Sequence, residues 1–142
     1  MTSPAPTTPR PLIESVAGGY VPGVCNIGPW EIRRRWIGGI LGLAAAAVLL
    51  ALLVAVRAPA AARVLVLFPA WGGTFSVLQA RRRFCGAYAM RRISNFGETL
   101  DTIAQVQDAA AHHADMVALL RMTRDALVVA VVLALLAVVA PV

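Results

Sequence analysis

Three long runs of uncharged, mostly apolar residues constrain the fold of this chain more than any other feature. They cover residues 36–56, 64–80 and 126–142. A helix rises about 1.5 Å per residue, so a hydrocarbon core of about 30 Å takes roughly 20 residues. The first run suffices by itself. The other two reach this length with flanking residues, because Arg63, Arg81 and Arg124 can extend their charged heads toward water.

The apolar runs predict helices rather than strands of a membrane barrel. Backbone polar groups in lipid must be paired within the protein, and the runs are continuous instead of alternating between apolar and polar residues. The alternative is a soluble domain with buried helices, but a chain of 142 residues rarely needs three such runs. We therefore expect an all-α membrane protein with three transmembrane helices and a cytoplasmic or interfacial amphipathic helix before the third.

The distribution of arginine predicts the orientation of these spans. The chain has 13 arginines and no lysine, and three spans place all of them on one side except Arg57 and Arg63. Positively charged residues stay preferentially in the cytoplasm. We expect a multi-pass protein of the bacterial cytoplasmic (inner) membrane, with its N-terminus inside and its C-terminus outside.

Residues 1–24 differ from the rest of the chain in composition. Five prolines and several small polar residues replace the basic start and apolar core that mark a signal peptide. We expect a cytoplasmic tail that is extended or disordered by itself, followed by a transmembrane domain over residues 25–142.

Residues 82–125 form the predicted cytoplasmic helical segment between the second and third spans. Asn95 followed by Glu98 resembles a helix cap with its return partner, which predicts a helix that begins near Glu98 and continues into the third span. One face of that helix carries the polar residues Asp101, Gln105, Asp108, His112 and Asp115. If residues 82–93 lead away from the membrane and the helix from Glu98 leads back to it, the second path is longer than the first. The helix from Glu98 must therefore tilt or break near residues 109–113, or residues 82–93 must lie flat in the interface.

Glycines within the first two spans indicate close helix packing. Gly38 and Gly42 are four residues apart, a spacing of small residues that lets another helix approach closely. In the second span, Gly72 and Gly73 are expected to face protein rather than lipid. Pro29 favours a helix start, so the first helix is expected to begin there.

A group of arginines, here called the basic rim, lies next to the first two spans. Its members are Arg33, Arg34, Arg35, Arg81, Arg82, Arg83, Arg91 and Arg92. The simplest interpretation is that these charges hold the spans in orientation. They could also contact anionic lipid headgroups or an acidic surface of a partner protein. No nucleic-acid-binding motif accompanies them, so nucleic acid is not an expected partner.

The candidates for chemistry are two cysteines and two histidines. Cys25, Cys85, His112 and His113 together offer four zinc ligands, but the chain has no CxxC motif, and adjacent histidines on a helix point about 100° apart. Packing is the simpler role for both cysteines. No span carries an ionisable residue near its middle, and no common catalytic motif is present. We expect no enzyme activity, no metal and no cofactor.

The function that the sequence favours is an accessory or assembly/structural subunit of a larger bacterial inner-membrane complex, which could be respiratory, photosynthetic or transport-related. Small-residue faces and a basic rim would supply its contacts with other membrane-protein subunits and anionic lipids. One alternative is a small homo-oligomeric channel or transporter with Thr74, Ser76 and Gln79 along its path. A second alternative is a thiol-based redox or metal-binding membrane protein that uses Cys25 and Cys85. The sequence leaves the oligomeric state open.

Overall fold

The chain is mostly helical in a computed structural model that describes residues 19–98 and 102–140. Three helical stretches, Pro29–Ala55, Ala60–Arg81 and Ala109–Val139, are long and apolar enough to cross a membrane. The elements are α1 (Pro29–Ala55), a 3₁₀ helix (Ala60–Val66), α2 (Leu67–Arg81), α3 (Gly86–Met90), β1 (Ile93–Asn95), β2 (Ile103–Gln105) and α4 (Ala109–Val139). Most of the predicted tail, the predicted helix residues 99–101 and the last two residues of the third predicted span lie outside the described residues.

Local sequence explains the start of α1. Gly28 is extended and Pro29 occupies the first turn, where a missing backbone N–H costs nothing, so the predicted start at Pro29 is confirmed. The carboxylate of Glu31 lies near the positive end of the helix dipole. After Ala55 the chain turns through Arg57, which has a positive φ of 52°. The short turn makes α1 and the following helix antiparallel neighbours.

The backbones of α1 and α2 approach most closely at a pair of glycines. A Cβ atom added to Gly42 would lie 2.7 Å from the Cα atom of Gly73. A Cβ atom added to Gly73 would lie 2.6 Å from the backbone nitrogen of Leu43. Both distances are shorter than real Cβ contacts, so only glycine fits either position at this helix separation.

Gly38 and Gly72 were expected to pack closely against a neighbouring helix, but other glycines occupy that contact. Gly39, rather than Gly38, is buried against α2, where an added Cβ would lie 2.5 Å from Val77 Cγ2. Within residues 19–98 and 102–140, an added Cβ on Gly38 would meet only Ser76 Oγ, at 3.3 Å, and one on Gly72 would meet no heavy atom within 4 Å. The helix phase selects which member of each adjacent pair faces the partner helix, and spacing alone does not reveal that phase.

The third long helix, α4, packs through a face of alanines. Its buried alanines in the apolar half are Ala126, Ala130, Ala134 and Ala137. At the far end of this half, the buried Arg63 side chain donates to the carbonyl oxygens of Ala137 and Ala140, at 3.3 and 2.9 Å. These carbonyls belong to the last turns of α4, where helical partners run out, so Arg63 caps the helix.

The structure corrects the expected helical segment over residues 82–125. A two-stranded antiparallel hairpin replaces the helix predicted from Glu98, with Asn95 paired to Ile103, and α4 begins only at Ala109. Asn95 closes a turn instead of capping a helix, because its Oδ1 accepts hydrogen bonds from Gly97 N and Thr102 Oγ1. The cap of α4 is Asp108, whose side chain accepts from Ala110 N at 3.0 Å.

The hairpin also shortens the helix that was predicted to lead back into the third span. From Ala109 to Asp125, α4 rises about 24 Å, well short of the length expected for a helix that begins at Glu98. A small sheet is therefore part of the fold, which is mostly helical and not all-α. β-branched isoleucines at 93 and 103 favour this pairing, which local cap signals did not reveal.

Candidate functional site

Buried polar side chains cluster where α1 begins and α2 ends. We call this cluster the polar cap; its members are Asn26, Glu31, Gln79, Ser94, Asn95 and Asp115. Buried polar groups are costly without hydrogen-bond partners, so the cluster needs a specific internal network. The sequence interpretation did not single out this network.

Asn26 lies at the centre of the polar cap and is fully buried. Its amide group makes two hydrogen bonds to one residue: Nδ2 donates to the carbonyl oxygen of Cys85 at 3.0 Å, and Oδ1 accepts from Cys85 N at 2.6 Å. The backbone of Asn26 and of Gly28 also bonds to Asn95, at 3.0 and 2.8 Å. The residues before α1 thereby join the end of α2 to the hairpin.

The second part of the polar cap is a buried carboxylate with cationic neighbours. Glu31 is 5% exposed, and its carboxylate lies 3.3 Å from Arg34 Nη1 and 3.5 Å from Arg35 Nη2. Tyr88 donates its hydroxyl to the same carboxylate at 3.4 Å, and burial raises the pKa of Tyr88. Arg35 also donates to Cys85 Sγ at 3.1 Å. The negative charge of Glu31 is therefore compensated within the chain.

The third part of the polar cap fastens residues 19–25, here called the strap, to α4. Asp115 is 1% exposed and accepts hydrogen bonds from Tyr20 Oη at 2.8 Å and Gly23 N at 2.7 Å. Burial raises the pKa of the Tyr20 hydroxyl, and the hydrogen bond to the Asp115 carboxylate raises it further. Asp115 therefore belongs to the interior, although the sequence placed it on the polar face of the predicted helix.

The basic rim lies at the same end of the helices as the polar cap. Arg34 and Arg35 pair with Glu31, and Arg82 forms an exposed ion pair of 2.7 Å with Asp125. In the described ranges, the side chains of the remaining rim members make no ion pair or hydrogen bond; these are Arg33, Arg81, Arg83, Arg91 and Arg92. All five are exposed.

A groove of about 650 Å³ opens between the start of α1, the strap and the hairpin. Its lining includes Ile32, Arg33, Trp36, Ile37, Ile40 and Arg83. Two arginines of the basic rim therefore line an otherwise largely apolar surface. Cys25 also lines the groove, and its thiol donates to the carbonyl oxygen of Gly19 at 3.0 Å.

The polar residues of α2 that could line a solute path take part in contacts within the chain. Ser76 Oγ donates to the carbonyl oxygen of Arg35 at 2.8 Å. Gln79 is buried, and its Oε1 accepts from Gly86 N at 3.3 Å. Thr74 is buried as well. Ser76 and Gln79 thereby join α2 to α1 and to α3.

The two cysteines and the two histidines that were candidates for chemistry lie in different surroundings. Cys25 and Cys85 are both free cysteines, and Cys85 is fully buried beside Asn26. His112 is partly buried on α4, whereas His113 is exposed. Over residues 19–98 and 102–140, no three His, Cys, Asp or Glu side chains come together in a group that could hold a metal ion.

Comparison of this chain with protein-family models, curated proteins and solved structures finds no match. The polar cap, the basic rim and the groove are therefore the features from which a function can be inferred. Two sequence signals could have indicated the polar cap. Asn26 interrupts the apolar approach to α1, and Asp115 is followed by the apolar pair Met116 and Val117.

Proposed function

We propose that this protein is an accessory or assembly subunit of a larger bacterial inner-membrane complex, respiratory, photosynthetic or transport-related. Its three long helices would span the bilayer with the polar cap and basic rim in the cytoplasm. The 27 residues of α1 extend about 40 Å, enough to cross a hydrocarbon core of about 30 Å. The charge distribution supports this orientation, since the rim lies at one end of the helices and Arg63 at the other.

An exposed stripe of alanines on α1 carries the proposal. Its members are Ala44, Ala47, Ala51 and Ala55, spaced by three or four residues. At about 100° per residue, they occupy roughly 80° of the helix circumference. The face of α1 toward α2 is already occupied at Gly39 and Gly42, so this stripe is a second smooth surface. Such surfaces allow another transmembrane helix to approach closely, which favours a role in assembly.

The hydrogen bonds of Ser76 and Gln79 favour this function over a channel or transporter. A solute path needs polar groups that face it, whereas these groups already bond to the backbone of Arg35 and Gly86. The polar cap holds the cytoplasmic ends of the helices in a fixed arrangement. A rigid three-helix unit of this kind suits a subunit that positions neighbouring helices.

Co-purification from native membranes tests the proposal. We expect the tagged chain, extracted in mild detergent, to retain one or more membrane proteins in fixed stoichiometry. Replacing Ala47 and Ala51 together with leucine should lower that recovery at least tenfold, because the added side chains hold a neighbouring helix away. Ala45→Leu is the matched control, since Ala45 is exposed at a similar depth but lies outside the stripe.

Two results would contradict the proposal. One is a wild-type chain that purifies alone after cross-linking in native membranes. The other is equal loss of the partner in the stripe variant and in the Ala45 control, which would indicate a general effect of added bulk.

A further inference from the structure

The groove beside α1 combines two arginines with an apolar wall that extends along the helix axis. Arg33 lines it near the start of α1, Arg83 lines it from the turn after α2, and Ile37 and Ile40 form its wall further along α1. Arg33 and Ile40 are seven residues apart, or about 10 Å along the helix. We propose that this groove binds one anionic phospholipid of the inner leaflet. Its phosphate lies between the two arginines and its acyl chain lies on the apolar wall.

This inference rests on the proposed membrane orientation, because only that orientation places Arg33 at the depth of the headgroups. Trp36 supports the same depth, since tryptophan side chains favour the boundary between headgroups and hydrocarbon. In that orientation Ile37 and Ile40, which are 50% and 59% exposed, face the acyl region.

Charge supports an anionic ligand. The guanidinium groups of Arg33 and Arg83 have no ion-pair or hydrogen-bond partner within residues 19–98 and 102–140. Glu31, the buried carboxylate at the start of α1, is already compensated by Arg34 and Arg35. The groove therefore carries two uncompensated positive charges, and guanidinium groups can bind phosphate oxygens through two parallel hydrogen bonds.

The polar cap fixes the position of Arg83. The residue has a positive φ of 52°, and its carbonyl oxygen accepts a hydrogen bond from Asn26 N at 3.1 Å. Asn26 in turn is held by both backbone groups of Cys85. Asn26 is thus a positioning residue for the groove, because it holds the backbone of Arg83 opposite α1.

The shape of the groove favours a lipid over a soluble anion. A small phosphate would use the two arginines alone and leave the wall formed by Trp36, Ile37 and Ile40 uncovered. An acidic peptide would supply carboxylates for the two arginines, but its charged side chains would not cover the apolar wall. An anionic phospholipid matches both parts, and the negatively charged inner leaflet supplies it at high local concentration.

Lipid titration of the purified protein in detergent, followed by native mass spectrometry, tests the inference. We expect phosphatidylglycerol to bind more tightly than phosphatidylcholine with the same acyl chains. Arg33→Gln with Arg83→Gln should weaken phosphatidylglycerol binding roughly 30-fold, on the basis of about 1 kcal/mol for each arginine. Arg81→Gln with Arg91→Gln removes the same charge outside the groove and should change the affinity less than threefold.

Two further measurements distinguish the possible occupants. Ile37→Ala with Ile40→Ala should weaken the binding of both phospholipids by a similar factor, because both make the same acyl contact. Glycerol phosphate at millimolar concentration should not displace bound phosphatidylglycerol. Displacement by glycerol phosphate, or by a glutamate-rich peptide, would overturn the lipid assignment. An equal loss of phosphatidylglycerol affinity in both arginine double variants would also overturn the assignment, because such a result would indicate diffuse attraction to the whole rim.

Alkaline carbonate extraction of cell membranes separates this inference from the proposed function. If the wild-type chain is released into the supernatant, the proposal that it is a membrane-spanning subunit is refuted. If the chain stays in the membrane but shows no preference for phosphatidylglycerol, only the lipid site is refuted. Unchanged unfolding temperatures of the variants exclude misfolding as the cause of any loss.

Discussion

Two adjacent glycines of α2 should respond differently to the same substitution. Gly73→Ala places a methyl group 2.6 Å from the backbone nitrogen of Leu43 and 2.9 Å from the carbonyl carbon of Gly42. Both atoms belong to backbone, which cannot rotate away as a side chain can. Gly72→Ala places the same group where no neighbouring heavy atom of the described part of the chain lies within 4 Å. Only the first change forces α1 and α2 apart.

The expected loss of stability follows from a comparison of the two variants. The shortest ordinary contact of a Cβ atom is 3.4 Å, so at Gly73 the helices must separate locally by 3.4 − 2.6 = 0.8 Å. A gap of this size forfeits a quarter to a half of each dispersion contact, and overpacking of this kind costs about 1–3 kcal/mol. Alanine also favours a helix over glycine by about 1 kcal/mol. Because both variants share that gain, their difference in unfolding free energy isolates the steric cost.

Equilibrium unfolding in mixed micelles, followed by far-UV circular dichroism, measures this difference. We expect Gly72→Ala to be as stable as the wild type or slightly more stable, and Gly73→Ala to be less stable than Gly72→Ala by about 1–3 kcal/mol. Gly38→Ala and Gly39→Ala form a second pair on α1, in which Gly39 should be the sensitive position. Equal stabilities within each pair would refute the helix phase described above.

Three further predictions concern buried polar groups. Asn26→Ala should lower the free energy of unfolding by about 2–4 kcal/mol, because both backbone groups of Cys85 lose their partner; chemical unfolding in micelles checks this. Burial raises the pKa of Tyr20 above 10.0, so the folded chain keeps a proton that the unfolded chain loses above this pH. Its stability should therefore fall above pH 10 by about 1.4 kcal/mol per pH unit relative to Tyr20→Phe, and an equal slope in both would contradict it. Arg63→Met should speed amide hydrogen exchange in the last two turns of α4 without affecting its first turns, as two carbonyls lose their donor.

Sequence patterns predicted the long helices because their causes are local. Apolar length and the proline at position 29 act within a few residues, so α1 begins where expected. The hairpin was missed because the same asparagine that can cap a helix can also close a turn. At Asn95 the choice depended on Thr102 and on the backbone of residues 26–28, which are distant in sequence.

The amino-acid sequence by itself determined three helices of membrane-spanning length, a gathering of arginines beside the first two, and the chemistry available to the chain. Tertiary structure decided which glycine of each pair faces the neighbouring helix and which polar groups are buried. Helix phase and the pairing of Asp115 with Tyr20, 95 residues away, depend on how whole elements pack. Such contacts arise only when distant segments share one interior, where each buried polar group must find a partner.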